Sequence, residues 1–285
     1  MVLERLHDGM AYSTSRNPKK SKSQTYRRMD VLNKSKMKQL LIIIFILIAG
    51  GAKGYTKDFD YSHITPHPRL LLKEGEERNI HMVLQKNTVL QAFHKRILDY
   101  CDETLKEPPV KRIKEGKRLL GVSRIVLKRV FYLSYAYRMT SEEKYLRRAE
   151  KEMLAAASFT DWNPSHFLDV SEMSMGLAIG YDWLFNELLP DSRKKIRQAI
   201  VEKAIEASKT KHASFYKSRT NWNQVCNGGL VCSALAIYED EPEKTKEIIN
   251  KALQTVPLAL ECYAPDGGYP CLLYTSDAAD EARSV

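Results

Sequence analysis

Between residues 72 and 256, apolar residues recur at intervals of three and four positions almost without interruption. This spacing places apolar side chains on one face of an α-helix, whereas the two-residue alternation typical of strands is nearly absent. Prolines interrupt the pattern where helices are expected to end, at Pro164, Pro190, Pro242 and Pro257. The sequence therefore predicts an all-α fold, with helices over residues 72–87, 88–105, 122–139, 141–157 (capped by Ser141), 166–186, 191–211, 222–238 and 244–256.

The predicted helices differ in how evenly their apolar residues are distributed. Residues 166–186 and 222–238 are apolar nearly all round, whereas residues 191–211 are half charged. A helix that is apolar on every side is expected to be buried, and a half-charged helix is expected at the surface. Short connections between long helices favour antiparallel hairpins. The predicted architecture is therefore an (α/α) toroid, in which inner helices alternate along the chain with outer ones.

Residues 37–54 have the pattern of a secretory signal peptide, with a basic start, a short apolar run and small residues at its end. The apolar run, residues 40–49, is about half of what a membrane-spanning helix needs. We therefore expect no stable membrane span and a periplasmic or secreted protein, with an uncleaved anchor as the alternative. Residues 1–36 are polar and basic, and are predicted to be a non-native or disordered extension.

The net charge of +10 is concentrated at the N-terminus, where residues 1–54 hold 11 Lys and Arg but 3 Asp and Glu. The remaining residues hold 34 basic and 32 acidic side chains, so this part is nearly balanced. Nucleic acid is therefore not an expected partner. A locally positive cleft would still favour an acidic polysaccharide. Cysteine and histidine residues lack the spacing of a zinc site, so no metal is predicted.

The stretch Asn221-Trp222-Asn223-Gln224, which continues to Gly229, surrounds a tryptophan with neutral amides. Amide side chains hydrogen-bond a carboxylate without titrating, and an indole presents a flat face to a sugar ring. This combination suits an enzyme that acts on acidic polysaccharide. In the alternative interpretation, the asparagines cap a helix and the tryptophan is an ordinary core residue.

Together with residues 221–229, four further segments resemble the heparinase II/III-like polysaccharide lyases, which include alginate and heparan lyases. The segments are HPRLL (67–71), DWNPSHFLD (161–169), GYDWL (180–184) and PDGGYP (265–270). The resemblance implies an N-terminal (α/α) toroid and, in the intact protein, a C-terminal β-sandwich that is absent here. Residues 55–270 are therefore expected to be an incomplete toroid of helical hairpins. Residues 271–285 look like a translated sequencing adapter, and are predicted to be a non-native tail.

Lyases of this kind cleave beside a uronate by β-elimination, which needs no metal or organic cofactor. Hydrogen-bond donors neutralise the carboxylate, a base removes the C5 proton and an acid protonates the leaving O4. The resemblance implies that Asn223 and Gln224 neutralise the carboxylate. It places the tyrosine that acts as base and acid, and a later histidine, beyond residue 270. The chain as given is therefore expected to be inactive, although its parent gene is expected to encode a lyase.

Five residues are candidates for substrate contact: Trp222, His166, Trp162, Arg219 and Tyr269. Trp162 is a candidate sugar platform, and His166 a candidate for lining the cleft, with a buried or capping role as its alternative. The planar guanidinium of Arg219 is a candidate partner for a uronate carboxylate. In the alternative interpretation, Arg219 is a solvated charge.

Two other functions remain open at the level of sequence. A glycoside hydrolase on a similar helical toroid would use carboxylates, for which the candidates are Asp169, Glu172 and Asp182. A non-catalytic glycan-binding domain of the same shape is the other alternative. The acidic polysaccharide remains the expected partner in the favoured interpretation.

Overall fold

The computed structural model of the protein describes residues 59–264 and residue 267. Within these residues there are eight α-helices and no β-strand, which confirms the predicted all-α fold. The helices are α1 Glu77–Leu84, α2 Thr88–Lys106, α3 Leu120–Thr140, α4 Glu143–Ala157, α5 Phe167–Trp183, α6 Pro190–Ile200, α7 Asn221–Ala236 and α8 Pro242–Leu260.

Several helices begin where the sequence supplies a cap. The side chain of Asn87 accepts from the backbone N–H of Leu90 at 3.0 Å and so begins α2. Thr220 begins α7 by accepting from the N–H of Trp222 at 3.4 Å. The helices α6 and α8 each have a proline in their first turn, where the missing N–H removes no intrahelical bond.

Three predicted boundaries are wrong. Ser141 does not cap the start of α4 but ends α3, with a left-handed φ of 59°. The helix predicted to reach residue 211 is α-helical only as far as Ile200, and a π-helical turn, Val201–Ile205, follows it. Pro257 lies inside α8 rather than ending it. A proline has no backbone N–H, so the Leu253 carbonyl loses its partner within the helix. Pro257 and Leu253 are both exposed, and water can therefore hydrogen-bond this carbonyl.

The helices α3, α5 and α7 are parallel neighbours, because hydrogen bonds join them near their N-terminal ends. The Ser123 hydroxyl of α3 donates to the backbone oxygen of Asp169 in α5 at 2.8 Å. The Ser171 hydroxyl of α5 donates to the backbone oxygen of Val225 in α7 at 2.6 Å. Short loops return the chain through α4, α6 and α8, which therefore run in the opposite direction.

The helix α5 is the centre of this arrangement and α6 lies at its surface. Fourteen of the 17 residues of α5 are buried, against four of the 11 residues of α6. This difference follows the predicted contrast between helices that are apolar all round and half-charged ones. The core around α5 includes Met173, Leu177 and Tyr181, and extends to Val130 of α3 and Leu230 of α7.

Glycines allow the parallel helices to approach closely. A Cβ atom on Gly176 of α5 would lie 2.8 Å from the Cα of Leu127 in α3. A Cβ atom on Gly229 of α7 would lie 2.3 Å from the Ser171 hydroxyl oxygen in α5. Both distances are far below van der Waals contact, so any larger residue would push the helices apart.

None of the helices in residues 59–264 has the length and apolarity needed to cross a bilayer. The predictions for residues 1–36, for the signal peptide at 37–54 and for the tail at 271–285 lie outside the described residues. So does the prediction for Tyr269.

Candidate functional site

The N-terminal ends of α3, α5 and α7 lie together on one edge of the structure, which we call the N-terminal edge. It contains His166 directly before α5, together with Trp222 and Gln224 in the first turn of α7. Parallel helix dipoles leave partial positive charge at this edge, which favours an anionic ligand. The candidate residues 161–169 and 221–229, distant in sequence, are therefore brought to the same place.

A basic loop adjoins this edge through direct contacts. The Lys114 ammonium donates to Asn163 Oδ1 at 3.0 Å, and the Leu119 N–H donates to Asp169 Oδ2 at 2.7 Å. Residues 111–124 contain one acidic side chain, Glu115, and six basic ones: Lys111, Arg112, Lys114, Lys117, Arg118 and Arg124. All of these basic side chains are at least partly exposed. The loop therefore adds exposed positive charge to that of the helix dipoles.

Part of this basic charge is already paired. Arg112 donates to Asp161 Oδ1 at 2.7 Å. Burial acts to raise the pKa of Asp161, but the hydrogen bonds from Arg112 and from the N–H of Asn163, with the charges of Arg112 and Lys114, together lower it. Arg124 lies 3.2 Å from Glu172 across α3 and α5. Lys111 and Lys117 contact no carboxylate within the described residues, so their charge is available to a ligand.

His166 is held by a carboxylate that has no exposure to solvent. Its Nδ1 lies 2.6 Å from Oδ1 of Asp169, whose side chain is 0% exposed. The other oxygen, Oδ2, accepts from Asn163 Nδ2 at 2.6 Å and from the N–H of Leu119. The imidazole edge-packs against the Trp222 indole, with ring centroids 5.0 Å apart. The orientation of His166 is therefore fixed on two sides.

The two adjacent amides predicted to neutralise a carboxylate have different environments. Asn223 is fully buried, and its Nδ2 donates to the backbone oxygen of Thr255 at 3.0 Å and more weakly to that of Tyr216. Its amide is used inside the protein, so we do not retain Asn223 as a residue that contacts substrate. Gln224 is partly exposed, and its Oε1 accepts from the Tyr263 hydroxyl at 3.2 Å.

The tyrosine contact determines which end of the Gln224 amide faces outward. Because Oε1 is occupied by Tyr263, the NH₂ group is left as the free hydrogen-bonding end. No described residue accepts from it. Gln224 therefore presents two neutral donors at the N-terminal edge, the chemistry that a carboxylate requires.

The other residues predicted to contact substrate also differ in their exposure to solvent. Trp162 is 0% exposed, and its indole N–H donates to the backbone oxygen of Ala156 at 3.0 Å. It is a core residue and cannot stack on a sugar from this position. Trp222 is partly exposed beside His166. Arg219 forms an ion pair with Glu261 in which both side chains are more than half exposed, as in the solvated-charge alternative.

The three carboxylates considered for glycoside hydrolysis do not face one another. Asp169 and Asp182 are both 0% exposed and lie thirteen residues apart on α5, about 20 Å along the helix axis. Paired carboxylates of glycosidases lie within about 10 Å of each other. Glu172 is near Asp169 in sequence but pairs with Arg124, and Asp169 is committed to its three donors. The geometry does not support the hydrolase alternative.

Asp182 belongs to a separate cluster at the C-terminal end of α5. Its carboxylate contacts Nδ1 of His67 at 2.6 Å and accepts from the N–H groups of Arg69 and Leu70. The Trp183 indole donates to the backbone oxygen of Leu70 at 2.6 Å. The segments HPRLL and GYDWL therefore bind each other, and their role is structural.

Sequence reasoning missed two features of the N-terminal edge. Tyr263, which orients Gln224, gave no signal because it lies 39 positions away in a region without a motif. Asn163, which supports Asp169 and Lys114, has a φ of 59° that a sequence does not display. The basic run at 111–118 was visible, but only the fold places it beside His166.

Neither the models of known protein families nor the curated proteins match this chain. The family resemblance seen in the sequence stays a prediction. A function must therefore be argued from the site.

Proposed function

We propose that this chain is the helical domain of a polysaccharide lyase, similar to the heparinase II/III-like lyases, which cleaves uronate-containing glycans by β-elimination. The observation that carries the proposal is the position of Gln224. Its side chain is partly exposed in the first turn of α7, at the N-terminal edge, with Oε1 occupied by Tyr263 and the donor end left free. A uronate carboxylate placed there would lose much of its negative charge, which makes the neighbouring C5 proton easier to remove.

The helix arrangement supports the toroid part of this proposal. In an (α/α) toroid, inner helices are parallel to each other and alternate with outer helices that return the chain. The parallel set α3, α5 and α7, with α4, α6 and α8 between them in sequence, has this order. We infer that the described helices form part of such a ring.

The positions of the resembling segments give independent support. Residues 67–71 and 180–184 join at one end of α5, and residues 161–169 and 221–229 meet at the other. Segments that were matched only by their order along the chain therefore make direct contacts. This is expected if they form one structural unit with a function at one edge.

The charge balance of the N-terminal edge fits an acidic polymer better than a neutral one. Lys111, Lys114 and Lys117 are exposed on the loop next to His166. A uronate polymer carries a carboxylate on successive sugars, so one residue could bind at Gln224 while its neighbours bind the lysines. The exposed part of Trp222 adds an apolar face for a sugar ring.

Binding of a uronate oligosaccharide to the whole chain tests the proposal. We expect saturable binding to Gln224 and the loop, and any released oligosaccharide should carry an unsaturated uronyl end. Gln224→Glu should weaken binding about tenfold or more, because two carboxylates would then face each other. Gln254→Glu, which adds the same charge at an exposed position of α8, is the matched control.

The outcomes separate the alternatives. Saturated reducing ends would identify hydrolysis and contradict the proposal. Failure of the unmodified chain to bind uronate oligosaccharides would contradict it as well. Equal weakening by the two substitutions would show that net charge, rather than the Gln224 amide, governs binding.

A further inference from the structure

The turn between α1 and α2 concentrates exposed apolar side chains, and we call residues 78–96 the α1–α2 corner. Within the described part of the chain thirteen large apolar side chains are exposed. Five of them lie in the twelve residues from 82 to 93: Met82, Val83, Val89, Leu90 and Phe93. Val89 and Phe93 are 62% and 58% exposed. Apolar side chains gathered on a surface in this way indicate a contact with another molecule.

The α1–α2 corner projects from the rest of the protein. None of the eight residues of α1 is buried, and residues 85–93 are exposed without exception. The corner is held instead near its two ends. At one end Arg138 pairs with Glu77, and at the other Nδ1 of His94 lies 2.9 Å from the Tyr135 hydroxyl oxygen. A projecting corner fits an interface that it can enter, whereas small ligands are enclosed by clefts.

The charged side chains of the corner all have the same sign. Between positions 77 and 99 there is no acidic residue, and there are four basic ones: Arg78, Lys86, Lys95 and Arg96. Lys95 pairs with Asp99. The other three pair with no carboxylate among the described residues, so their charge is not neutralised within the protein. The apolar side chains are therefore accompanied by positive charge alone.

The basic side chains lie one helical turn behind the apolar ones. On α1, Arg78 is four positions before Met82, so both are on one face and Arg78 is further from the connecting turn. On α2, Arg96 is three positions after Phe93 and has the same relation to it. One turn is about 5 Å of helix. A bilayer that takes up the apolar side chains to a depth of about 5–10 Å would therefore bring its phosphate groups to the guanidinium groups.

We propose that the α1–α2 corner is a docking site for an anionic phospholipid bilayer, to which the protein binds peripherally. The apolar side chains enter the boundary between headgroups and acyl chains, and the basic side chains pair with lipid phosphates. A second copy of the chain is a poorer occupant. A two-fold symmetric contact would place the unneutralised positive charges of both copies against each other.

Docking at this site leaves the N-terminal edge accessible. The corner contacts α3 through Tyr135 and Arg138, which lie in the last two turns of that helix. The N-terminal edge is at the first turn of the same helix, about 20 Å away along its axis. A bilayer at the corner therefore does not occupy the place proposed for a glycan. The docking site does not depend on the proposed glycan specificity.

A tryptophan at position 93 tests whether the corner enters a bilayer. Phe93→Trp is introduced into the whole chain, and fluorescence is measured with phosphatidylglycerol vesicles whose acyl chains carry bromine. We expect emission at shorter wavelength and about twofold or greater quenching of the added signal. Leu253→Trp places the same probe at a similarly exposed position of α8, and should show neither change. Because the readout is local, binding through another segment of the chain does not produce it.

The charges of the corner and of the lipid should both matter. In the Phe93→Trp chain, Lys86→Gln together with Arg96→Gln should weaken vesicle binding, followed by this quenching, about tenfold or more. Lys194→Gln with Lys195→Gln removes two exposed charges from α6 and should change binding less than about twofold. Phosphatidylcholine vesicles, which carry no net charge, should give little quenching.

Each other outcome overturns the proposal. Absence of quenching at position 93 would show that the corner does not enter the bilayer. Equal quenching by neutral and anionic vesicles would show that the basic side chains do not select the lipid. A shift in emission that grows with protein concentration, without lipid, would assign the corner to a second copy. A shift produced by polyglutamate but not by vesicles would assign it to an acidic polypeptide.

Discussion

His67 and Asp182 join the loop before α1 to the far end of α5 through a contact of 2.6 Å between Nδ1 and Oδ1. The same carboxylate accepts from the N–H groups of Arg69, at 2.9 Å, and Leu70, at 2.8 Å. Asp182 is 0% exposed, so these donors replace the water that the charge has lost. One carboxylate of α5 therefore holds residues 67–70, which lie outside any helix and more than a hundred positions away in the sequence.

Replacing this carboxylate should destabilise the whole protein. In Asp182→Asn, the amide would turn an N–H group toward backbone N–H donors and leave buried groups unpaired. We expect the free energy of unfolding to fall by about 3 kcal/mol, measured by urea denaturation. Asp99→Asn, at an exposed ion pair with Lys95, should change it by less than about 1 kcal/mol. Equal effects of the two substitutions would contradict the role assigned to Asp182.

Adjacent glycines in α7 predict opposite effects on stability. In Gly229→Ala, the new Cβ would lie 2.3 Å from the Ser171 hydroxyl and 2.5 Å from its backbone oxygen. We expect a loss of about 2 kcal/mol or more, because two helices would have to separate. A Cβ atom on Gly228 would have no neighbouring atom within 4 Å, so Gly228→Ala should raise stability by up to about 1 kcal/mol.

Thermal unfolding of the two variants makes the comparison. The substitutions are chemically identical and one residue apart, so helix propensity favours alanine in both. A difference in sign can come only from the contact between α5 and α7. Stabilisation by Gly229→Ala would show that these helices are not in contact as described.

Asn223 should behave as a structural residue and Gln224 as a surface one. Asn223→Ala removes the donor to the backbone oxygens of Thr255 and Tyr216 and the acceptor of the buried Asn227 amide. We expect a loss of about 1–3 kcal/mol in urea denaturation. Gln224→Ala should leave stability within about 0.5 kcal/mol, since its amide is partly exposed. The reverse order would restore Asn223 as the candidate for substrate contact.

The sequence predicts the helices of this protein well because its apolar periodicity is long and regular. It also predicts that α5 is buried, because residues 166–186 are apolar nearly all round. Boundaries are less well predicted. Pro257 stays inside α8 because its side of the helix is exposed, and the sequence alone does not show which side that is.

The sequence names the candidate residues of the site but not their environments. Residues 161–169 and 221–229 lie together at the N-terminal edge, and neighbouring residues within them have opposite environments. Trp162 is core and Trp222 is partly exposed, and Asn223 is buried while Gln224 is not. Successive residues of a helix point about 100° apart, so the rotation of α7 about its own axis determines which of the two amides is exposed. That rotation is set by packing against α5 and α8, which no local pattern encodes.

The buried thiols of this protein should resist alkylation. Burial raises the pKa of Cys101 to about 12, and burial raises the pKa of Cys226 as well. The reactive species is the thiolate, so at pH 8 both should react about 100-fold or more slowly with iodoacetamide than the partly exposed Cys262. Peptide mapping of a Cys271→Ser variant measures the rates without a contribution from the tail. Because Cys226 lies one turn from Asn223, rapid labelling of the folded protein there would show that the start of α7 opens to solvent, and would reopen the question of which amide meets the substrate.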